Sequence, residues 1–239
     1  MNENVFSGKA EVYMQCRPRY AQGALELIRR ETSLTPDSLI ADIGAGTGIF
    51  TGQLMALGCR VAAVEPNADI ISAPAEHTGL PDGSVSLITA AESFHWFQQE
   101  DFRKECRRIL RPDGKVMIVW NLTDKKSSTV QRLHELNMKY CEKYRSLFKN
   151  NEQFSVSDEK YKVISENYLT NSHRKIYPND LMFTKERFIG NRISRSYAPK
   201  SGDPEFNDYR TALEAFFEQH QQNGVIVIPN NTVCFIGKA

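Results

Sequence analysis

Three glycines alternate at Gly44, Gly46 and Gly48, directly after an apolar run that ends at Asp42. This order is typical of a strand, a tight turn and a helix that begins near Ile49, the opening unit of a nucleotide-binding α/β fold. Glycine suits such a turn because it accepts positive φ angles and lets a ligand approach the main chain closely. The helix that follows offers unpaired N–H groups and a partial positive charge at its N-terminus. Since glycine turns are common, the prediction of a cofactor site depends on the neighbouring residues.

A carboxylate closes the next apolar segment, where Glu65 follows residues 60–64. It lies roughly twenty residues beyond the glycine turn, where nucleotide-binding folds place an acid that accepts hydrogen bonds from a ribose diol. An acid at the end of a strand is common, but together with the glycine turn it favours a ribose-binding role for Glu65.

A third group of residues with chemical potential follows the predicted strand 85–89. Ligands of open α/β sheets bind beyond the carboxyl ends of the strands, so residues 90–97 are expected to face the site. His95 is the only histidine on a predicted site loop, and it serves either as a substrate-binding or basic group or as a structural residue packed on Trp96. Phe94, Trp96 and Phe97 are predicted to form the pocket wall.

These residues must be positioned by alternating strands and helices. The βαβα alternation predicts a doubly wound, mostly parallel, seven-stranded Rossmann-like sheet. Residues 174–184 are predicted as a sixth strand, and residues 225–228 and 232–236 as a terminal pair that gives the sheet an antiparallel edge. Residues 1–239 are predicted to form a single domain, in which the Lys- and Tyr-rich residues 124–170 are a helical insert, a candidate lid over the site.

The link that follows Glu65 is too short for this scheme. A parallel crossover needs roughly a dozen residues or more, and residues 66–83 must hold a helix, a third strand and a loop. We infer that a segment is missing from the chain near residues 68–71.

Composition limits the partners that are expected. Thirty Lys and Arg residues balance twenty-nine Asp and Glu residues, so the overall charge favours neither nucleic acid nor an anionic membrane. The polar N-terminal stretch contains no signal-peptide core, and no apolar run reaches the length of a membrane span. The five scattered cysteines form no C-x-x-C pair, which predicts reduced thiols in a cytoplasmic protein and no metal site.

The motifs together resemble the class I S-adenosylmethionine-dependent methyltransferases of methyltransferase type 11. The matching stretches are DIGAGTG at 42–48, VAAVEPN at 61–67, APAEHTGLPDGSVSLIT at 73–89 and RRILRPDGKVMIVW at 107–120. The GxGxG spacing favours this family over the GxGxxG of dinucleotide enzymes. YMQCRPRY at 13–20, ESFHWF at 92–97 and RISRSYAPKSGDPEF at 192–206 are similar to a subgroup of small-molecule methyltransferases of the trans-aconitate type.

The resemblance implies S-adenosyl-L-methionine as the cofactor, S-adenosyl-L-homocysteine as its product, and in-line methyl transfer to a small molecule. It places Asp42 near the cofactor amino group, Glu65 on the ribose and Arg17 on the carboxylate. Tyr13 or Tyr20 would lie near the sulfonium. The implied cofactor-binding residues are Tyr13, Arg17, Tyr20, Asp42, Gly44, Ala45, Gly46, Thr47, Gly48, Glu65, Pro66, Ala75, Glu76, Ala90 and Ala91, with Ala75 and Glu76 bordering the adenine.

The acceptor pocket is predicted to include Phe94, His95, Trp96 and Tyr197. Arg192, Arg195 and Tyr197 would position a carboxylate acceptor if there is one, and a surface loop is the alternative for this group. Two further hypotheses stay open: an NAD(P)-binding oxidoreductase, which shares the glycine turn and the acid, and a non-catalytic cofactor-binding protein of the same fold. No Tyr-x-x-x-Lys pair is evident after the fifth predicted strand, which counts against the oxidoreductase.

Overall fold

The computed structural model describes residues 18–66, 71–147 and 159–239. Tyr13 and Arg17 of the predicted cofactor arm lie outside the described residues, as do residues 67–70 of the short link. The helices are α1 (Gln22–Glu31), α2 (Ile49–Leu54), α3 (Gln99–Ile109), α4 (Ser128–Tyr140), α5 (Glu142–Ser146), α6 (Glu159–Tyr168), α7 (Lys185–Ile193) and α8 (Phe206–His220). The strands are β1 (Leu39–Ile43), β2 (Arg60–Val64), β3 (Val85–Ala91), β4 (Leu110–Thr123), β5 (Thr170–Pro178), β6 (Leu181–Phe183), β7 (Ile226–Ile228) and β8 (Asn230–Lys238).

The main sheet has six strands in the order β2-β1-β3-β4-β8-β5. β2, β1, β3 and β4 are parallel, whereas β8 runs antiparallel to both β4 and the edge strand β5. The mostly parallel sheet and its antiparallel edge are as expected, but the prediction of seven strands is wrong. Outside β2, the described chain adds only a single parallel bridge between Val64 and Ile71. The physical reason is length, because six residues after Val64 leave no room for a crossover helix and a return strand.

Apolar residues cover both faces of the sheet, as a doubly wound fold requires. In β4, Val116, Ile118 and Trp120 belong to one core cluster, which also contains α3 residues and Tyr168 of α6. The alternate residues Met117 and Val119 belong to a second cluster with α1 and α2. The two-residue period of the strand therefore separates two helical layers.

The late β segments are arranged differently from the prediction. Residues 232–236 lie in β8 within the main sheet, but β7 pairs with β6 in a separate two-stranded sheet. The predicted strand 174–184 is divided between β5 and β6, because β5 ends at Pro178 and the chain turns at Asn179. The Asn179 amide donates to Asn230 O at 2.8 Å, which fixes this turn against the start of β8.

A third apolar cluster lies apart from the two sheet cores. It joins α4, α5, α7 and α8 with the β6–β7 pair, and Phe188, Tyr209 and Leu213 are fully buried in it. The predicted insert 124–170 is thus divided, since α4 and α5 pack in this helical cluster whereas α6 packs on the sheet through Tyr168. Across the described ranges, no helix combines the length and apolarity needed to cross a membrane.

Candidate functional site

The glycine turn wraps around the carboxyl end of β2. The amides of Gly44 and Ala45 both donate to Val64 O, at 2.8 and 3.1 Å. Gly44, Gly46 and Gly48 have φ angles of 68°, 54° and 77°, a left-handed conformation that disfavours side chains. A Cβ at Gly44 would lie 2.5 Å from Ser93 Cβ, whereas one at Gly46 would have no neighbour within 4 Å. Gly44 is therefore required for packing, and Gly46 leaves the main chain open to close approach.

Asp42 is a buried carboxylate at the end of β1, directly before the glycine turn. It is 1% exposed, and its two carboxylate oxygens accept the hydroxyl hydrogens of Thr51 at 2.6 Å and Thr89 at 2.8 Å. These bonds connect β1, α2 and β3 at one point. Burial raises the pKa of Asp42 to about 6, although both hydroxyls act to lower it. Asp42 thus fixes the geometry of the turn. Neither threonine was foreseen, because the Thr89 contact depends on the register of β1 with β3 and the Thr51 contact depends on how α2 packs on β1.

Glu65 is positioned where the sequence predicts a ribose-binding acid. It directly follows β2, and its Oε2 accepts a hydrogen bond from the Gly46 amide at 3.1 Å. Its own amide donates to Ile71 O, so the short link is tied back to the strand end. The carboxylate and the exposed main chain of the turn therefore share one side of the site.

A second carboxylate, from Glu92, lies at the end of β3. Glu92 has a φ of 57°, which is uncommon for a residue with a side chain and marks a constrained position. Its Oε1 accepts from the Asn121 amide at 2.5 Å, and its amide donates to Val119 O at 2.9 Å. The next residue, Ser93, donates its hydroxyl to Ile43 O at 2.9 Å. Sequence reasoning missed Glu92, since only the backbone conformation distinguishes it from an ordinary acid.

Aromatic rings surround His95 on its inner side. The imidazole centroid lies 4.7 Å from Trp96, 5.2 Å from Trp120 and 6.1 Å from Tyr161 of α6. The residue keeps an exposed edge, but desolvation by these rings, with a smaller effect of the Lys160 charge, lowers the pKa of His95 to about 4. The ring is therefore neutral at pH 7 and a weak base. Its contact with Tyr161 brings the helical insert to the edge of the site.

Phe94 does not share this surface. It is fully buried, and its ring packs against Tyr168 at 4.7 Å and Phe102 at 6.2 Å in the sheet core. The structure thus places the predicted wall residue Phe94 in the core, while Trp96, 44% exposed, stays at the surface. Trp120 and Tyr161, whose rings are 4.4 Å apart, were not predicted.

The loop predicted to border the adenine is fastened to α3. Ala75 is buried in the core, and Glu76 Oε1 accepts from the Gln98 amide at 2.7 Å. The carboxylate of Glu105 accepts from the amide and the hydroxyl of Thr78, at 2.8 and 2.6 Å. Arg108 donates to the same carboxylate through Nε and Nη2, both at 2.8 Å. Burial alone would raise the pKa of Glu105, but these bonds outweigh it and lower the pKa to about 2.

Tyr20 is held beside α2. Its amide donates to Gln53 Oε1 and its carbonyl accepts from Gln53 Nε2, both at 2.9 Å, while its ring meets Phe50 edge-on at 4.7 Å. In this arrangement the ring contacts the helix that follows the turn. The described part of the arm therefore joins the glycine-turn region through α2.

The remaining predicted cofactor residues fall into two groups. Ala45, Thr47 and Pro66 are half-buried around the turn and the end of β2. Ala90 is fully buried, whereas Ala91 is half-buried and packs against the opposite core. Ala90 therefore supports the sheet behind the site.

The Arg192, Arg195 and Tyr197 group lies in the helical cluster, apart from the glycine turn. The surface-loop alternative is wrong for Arg192, which is 3% exposed in the last turn of α7. Burial, followed by the Arg195 charge, lowers the pKa of Arg192 to about 10, so the guanidinium remains charged at pH 7. The Tyr197 hydroxyl accepts from Asn137 Nδ2 at 3.5 Å.

Comparison with known proteins finds similarity to methyltransferases. Residues 41–118 match a family described as a methyltransferase domain. An uncharacterised methyltransferase-like protein of Schizosaccharomyces pombe is 32% identical over 142 residues, which cover 54% of this chain and 56% of that protein. The chain thus spans a little over half the length of this curated relative.

Solved structures share the fold over much more of the chain. A protein assigned as a type II methyltransferase from Anaeromyxobacter dehalogenans has a TM-score of 0.66 at 21% identity, covering 93% of this chain and 97% of the other. Phosphoethanolamine N-methyltransferase 2 of Haemonchus contortus, solved with S-adenosylhomocysteine, has a TM-score of 0.51 at 13% identity, covering 100% of this chain and 59% of the other. These likenesses confirm that the chain has the Rossmann-like fold that these proteins share.

Proposed function

We propose that this chain, whose residues 41–118 match a methyltransferase domain, transfers the methyl group of S-adenosylmethionine to a small-molecule acceptor. The observation that carries the proposal is the hydrogen bond between Glu65 Oε2 and the Gly46 amide. It brings a double hydrogen-bond acceptor and an accessible main chain to one side of the sheet. The first suits a ribose diol, and the second suits the amino-acid end of the cofactor.

The residues of the turn fit this cofactor. Gly46 leaves open the space that a Cβ would occupy, and the conformation of the turn is imposed by Val64 O and by the packing of Gly44 on Ser93. Glu76 is fixed by the Gln98 amide at the start of α3, and Ala75 is buried in the core; both belong to the loop that is expected to border the adenine. When bound, the cofactor supplies an already activated methyl carbon. The protein therefore has to align the acceptor with this carbon and exclude water.

His95 serves this alignment better than it serves proton removal. A general base works best when its pKa is near the working pH, and the pKa of His95 is lowered to about 4. We assign the neutral ring, with Trp96 and Tyr161, to the wall that binds the acceptor. Helix α6 then acts as the cover that the insert contributes to the site.

Titration of the full chain tests the proposal. S-Adenosylhomocysteine should raise the thermal midpoint, and NAD should not, because ligand that binds only the folded state stabilises it. Glu65→Ala should weaken the binding of S-adenosylhomocysteine by about tenfold to a hundredfold, because one or two charge-assisted hydrogen bonds are lost. Glu26→Ala, an exposed change on α1, is the control. Stabilisation by NAD alone would favour the oxidoreductase.

The acceptor class requires a second measurement. Incubation with methyl-labelled cofactor and a panel of small carboxylic acids, phenols and amines should label at least one compound. Labelling confined to nucleic acid or protein would contradict the small-molecule proposal. Binding of S-adenosylhomocysteine without transfer to any acceptor would support the non-catalytic alternative. The trans-aconitate-type subgroup and the cytoplasmic location remain part of this proposal.

A further inference from the structure

A cavity of about 210 Å³ lies on the face of the main sheet against which α6 packs. Its lining comes from α6, from β4, β8 and β5, and from the loop that follows β4. Val233 and Phe235 of β8 are buried and form an apolar floor, together with Leu122 and Ile176. Ile176 pairs with Val233 and so points to the same face, yet it is 50% exposed. Within the described ranges, the cavity therefore leaves an apolar surface uncovered.

Trp120 stands between this cavity and His95. The strands are ordered β3-β4-β8-β5, and His95 follows β3, whereas the cavity floor belongs mainly to β8 and β5. Trp120 of β4 pairs with Val233 of the floor, so the two sites lie on opposite sides of the indole. The glycine turn follows β1, three strand spacings or about 14 Å from β8. A ligand the size of one ring in the cavity would therefore not reach a methyl group held at the turn.

The rim of the cavity carries an excess of positive charge. Four basic side chains and two carboxylates line it, namely Lys125, Lys126, Lys162, Arg174, Asp124 and Glu159. Lys162 lies 3.5 Å from Glu159, so this carboxylate is already balanced. Across the described part of the chain, the guanidinium of Arg174 makes no hydrogen bond and no ion pair. Its donors therefore remain available to an acceptor at the mouth of the cavity.

We propose that this cavity binds a small organic anion that consists of one carboxylate on an apolar body of about one aromatic ring. The body covers the floor at Val233 and Ile176, and the carboxylate is held by the guanidinium fork of Arg174. The size fits, since a cavity of about 150 Å³ holds benzene. An apolar lining with a few placed polar groups is the usual composition of a small-molecule site. The proposal does not depend on the proposed methyl transfer.

Thermal unfolding of the full chain, with benzoate as the probe, tests the site. Benzamide keeps the ring without the charge, acetate keeps the carboxylate without the ring, and sodium chloride holds the ionic strength equal. Because a ligand that binds only the folded state stabilises it, benzoate should raise the thermal midpoint in a saturable way. Its half-saturating concentration should be lower than that of benzamide or acetate by about tenfold or more.

Two neighbouring cations of β5 provide the variant and its matched control. Arg174→Gln should raise the half-saturating benzoate concentration by about tenfold, because the partner of the carboxylate is lost. Lys175 is equally exposed, but it pairs with Cys234 of the opposite core, so its side chain points away from the cavity. Lys175→Gln should therefore bind benzoate as the wild type does. If Arg174→Gln does not fold, Arg174→Lys decides, since it keeps the charge but loses the fork and should also weaken binding.

Three results would overturn the site: a midpoint that follows ionic strength alone, equal binding of benzamide and benzoate, or unchanged benzoate binding in the Arg174 variant. Saturating S-adenosylhomocysteine should still allow benzoate to bind, because the two ligands occupy separate places. Mutual exclusion, or transfer of a labelled methyl group to benzoate, would place the probe beside the methyl donor and contradict a separate site. The benzoate titration needs no cofactor, so its failure leaves the proposed methyl transfer untouched.

Discussion

Replacing Glu105 with Gln tests how the loop on the expected adenine side is held. In the wild type, one buried carboxylate accepts bonds from both the amide and the hydroxyl of Thr78 and from two nitrogens of Arg108. Glutamine keeps the shape of the side chain but removes its charge and presents one NH₂ group where an acceptor is needed. The substitution therefore leaves one donor of Thr78 or Arg108 without its acceptor, although Arg108 keeps its ion pair with Asp82.

The size of the effect follows from the pKa. Hydrogen bonding lowers the pKa of Glu105 from 4.5 to about 2, so the charged carboxylate contributes about 3 kcal/mol at pH 7. Because the pKa is lower in the folded state, this stability is complete above about pH 4.5 and is lost as the pH falls through 2. At pH 3 about 1 kcal/mol remains.

Urea unfolding of wild type and Glu105→Gln at pH 7 and pH 3 measures the contribution of the carboxylate to stability at each pH. We expect the free-energy difference between the two proteins to shrink by about 2 kcal/mol at the lower pH. Glu166→Gln, an exposed change on α6, should differ from the wild type by less than about 0.5 kcal/mol at pH 7. A Glu105→Gln loss as small as that control, or one independent of pH, would refute the assigned role of the carboxylate.

Two further substitutions test the turn itself. Gly44→Ala places a Cβ 2.5 Å from Ser93 Cβ at a residue whose φ is 68°. Urea unfolding should therefore show that Gly44→Ala lowers the free energy of unfolding by about 2–4 kcal/mol. Gly46→Ala should lower it by about 1 kcal/mol, because a Cβ at position 46 meets no neighbouring atom. Equal losses would show that packing on Ser93 is unimportant. Burial raises the pKa of Asp42 from 3.8 to about 6, so its stabilising effect is complete below pH 3.8 and is lost as the pH rises through 6. In urea unfolding, the free energy of unfolding of Asp42→Asn minus that of the wild type should therefore rise by up to about 3 kcal/mol as the pH is raised from 3.5 to 7. If this difference does not change with pH, the pKa of Asp42 is not raised.

The cofactor turn was predictable from sequence because its determinants are local. Gly44, Gly46 and Gly48 adopt the positive φ angles that their spacing requires, and Glu65 ends β2 beside them. Both features depend on strand length and turn geometry within some twenty residues. The alternation of strands and helices likewise predicted the parallel sheet, since each unit of the pattern is local.

The rest depends on contacts between distant parts of the chain. Phe94 and His95 are neighbours in sequence, yet one ring lies in the core and the other at its edge, because the 3-10 turn at Phe94–Trp96 directs them oppositely. Trp120 and Tyr161 meet across 41 positions, and no local pattern marks that pair. Arg192 resembled a surface arginine because its burial comes from distant parts of the chain, including Tyr144 of α5 and Tyr209 of α8, which periodicity alone does not reveal.

The short link after Glu65 now has a structural consequence. Ile71 occupies the position beside β2 where a seventh strand was expected, and it is joined there by one bridge and by the Glu65 amide. Among the residues that the structure describes, the edge of the sheet at the expected adenine side is thus completed by Ile71 alone. Thr78 and Glu76 are fastened instead to α3, through Glu105 and the Gln98 amide. The helix therefore supplies the support that a full third strand would otherwise give, which is why the Glu105 carboxylate should matter to cofactor binding as well as to stability.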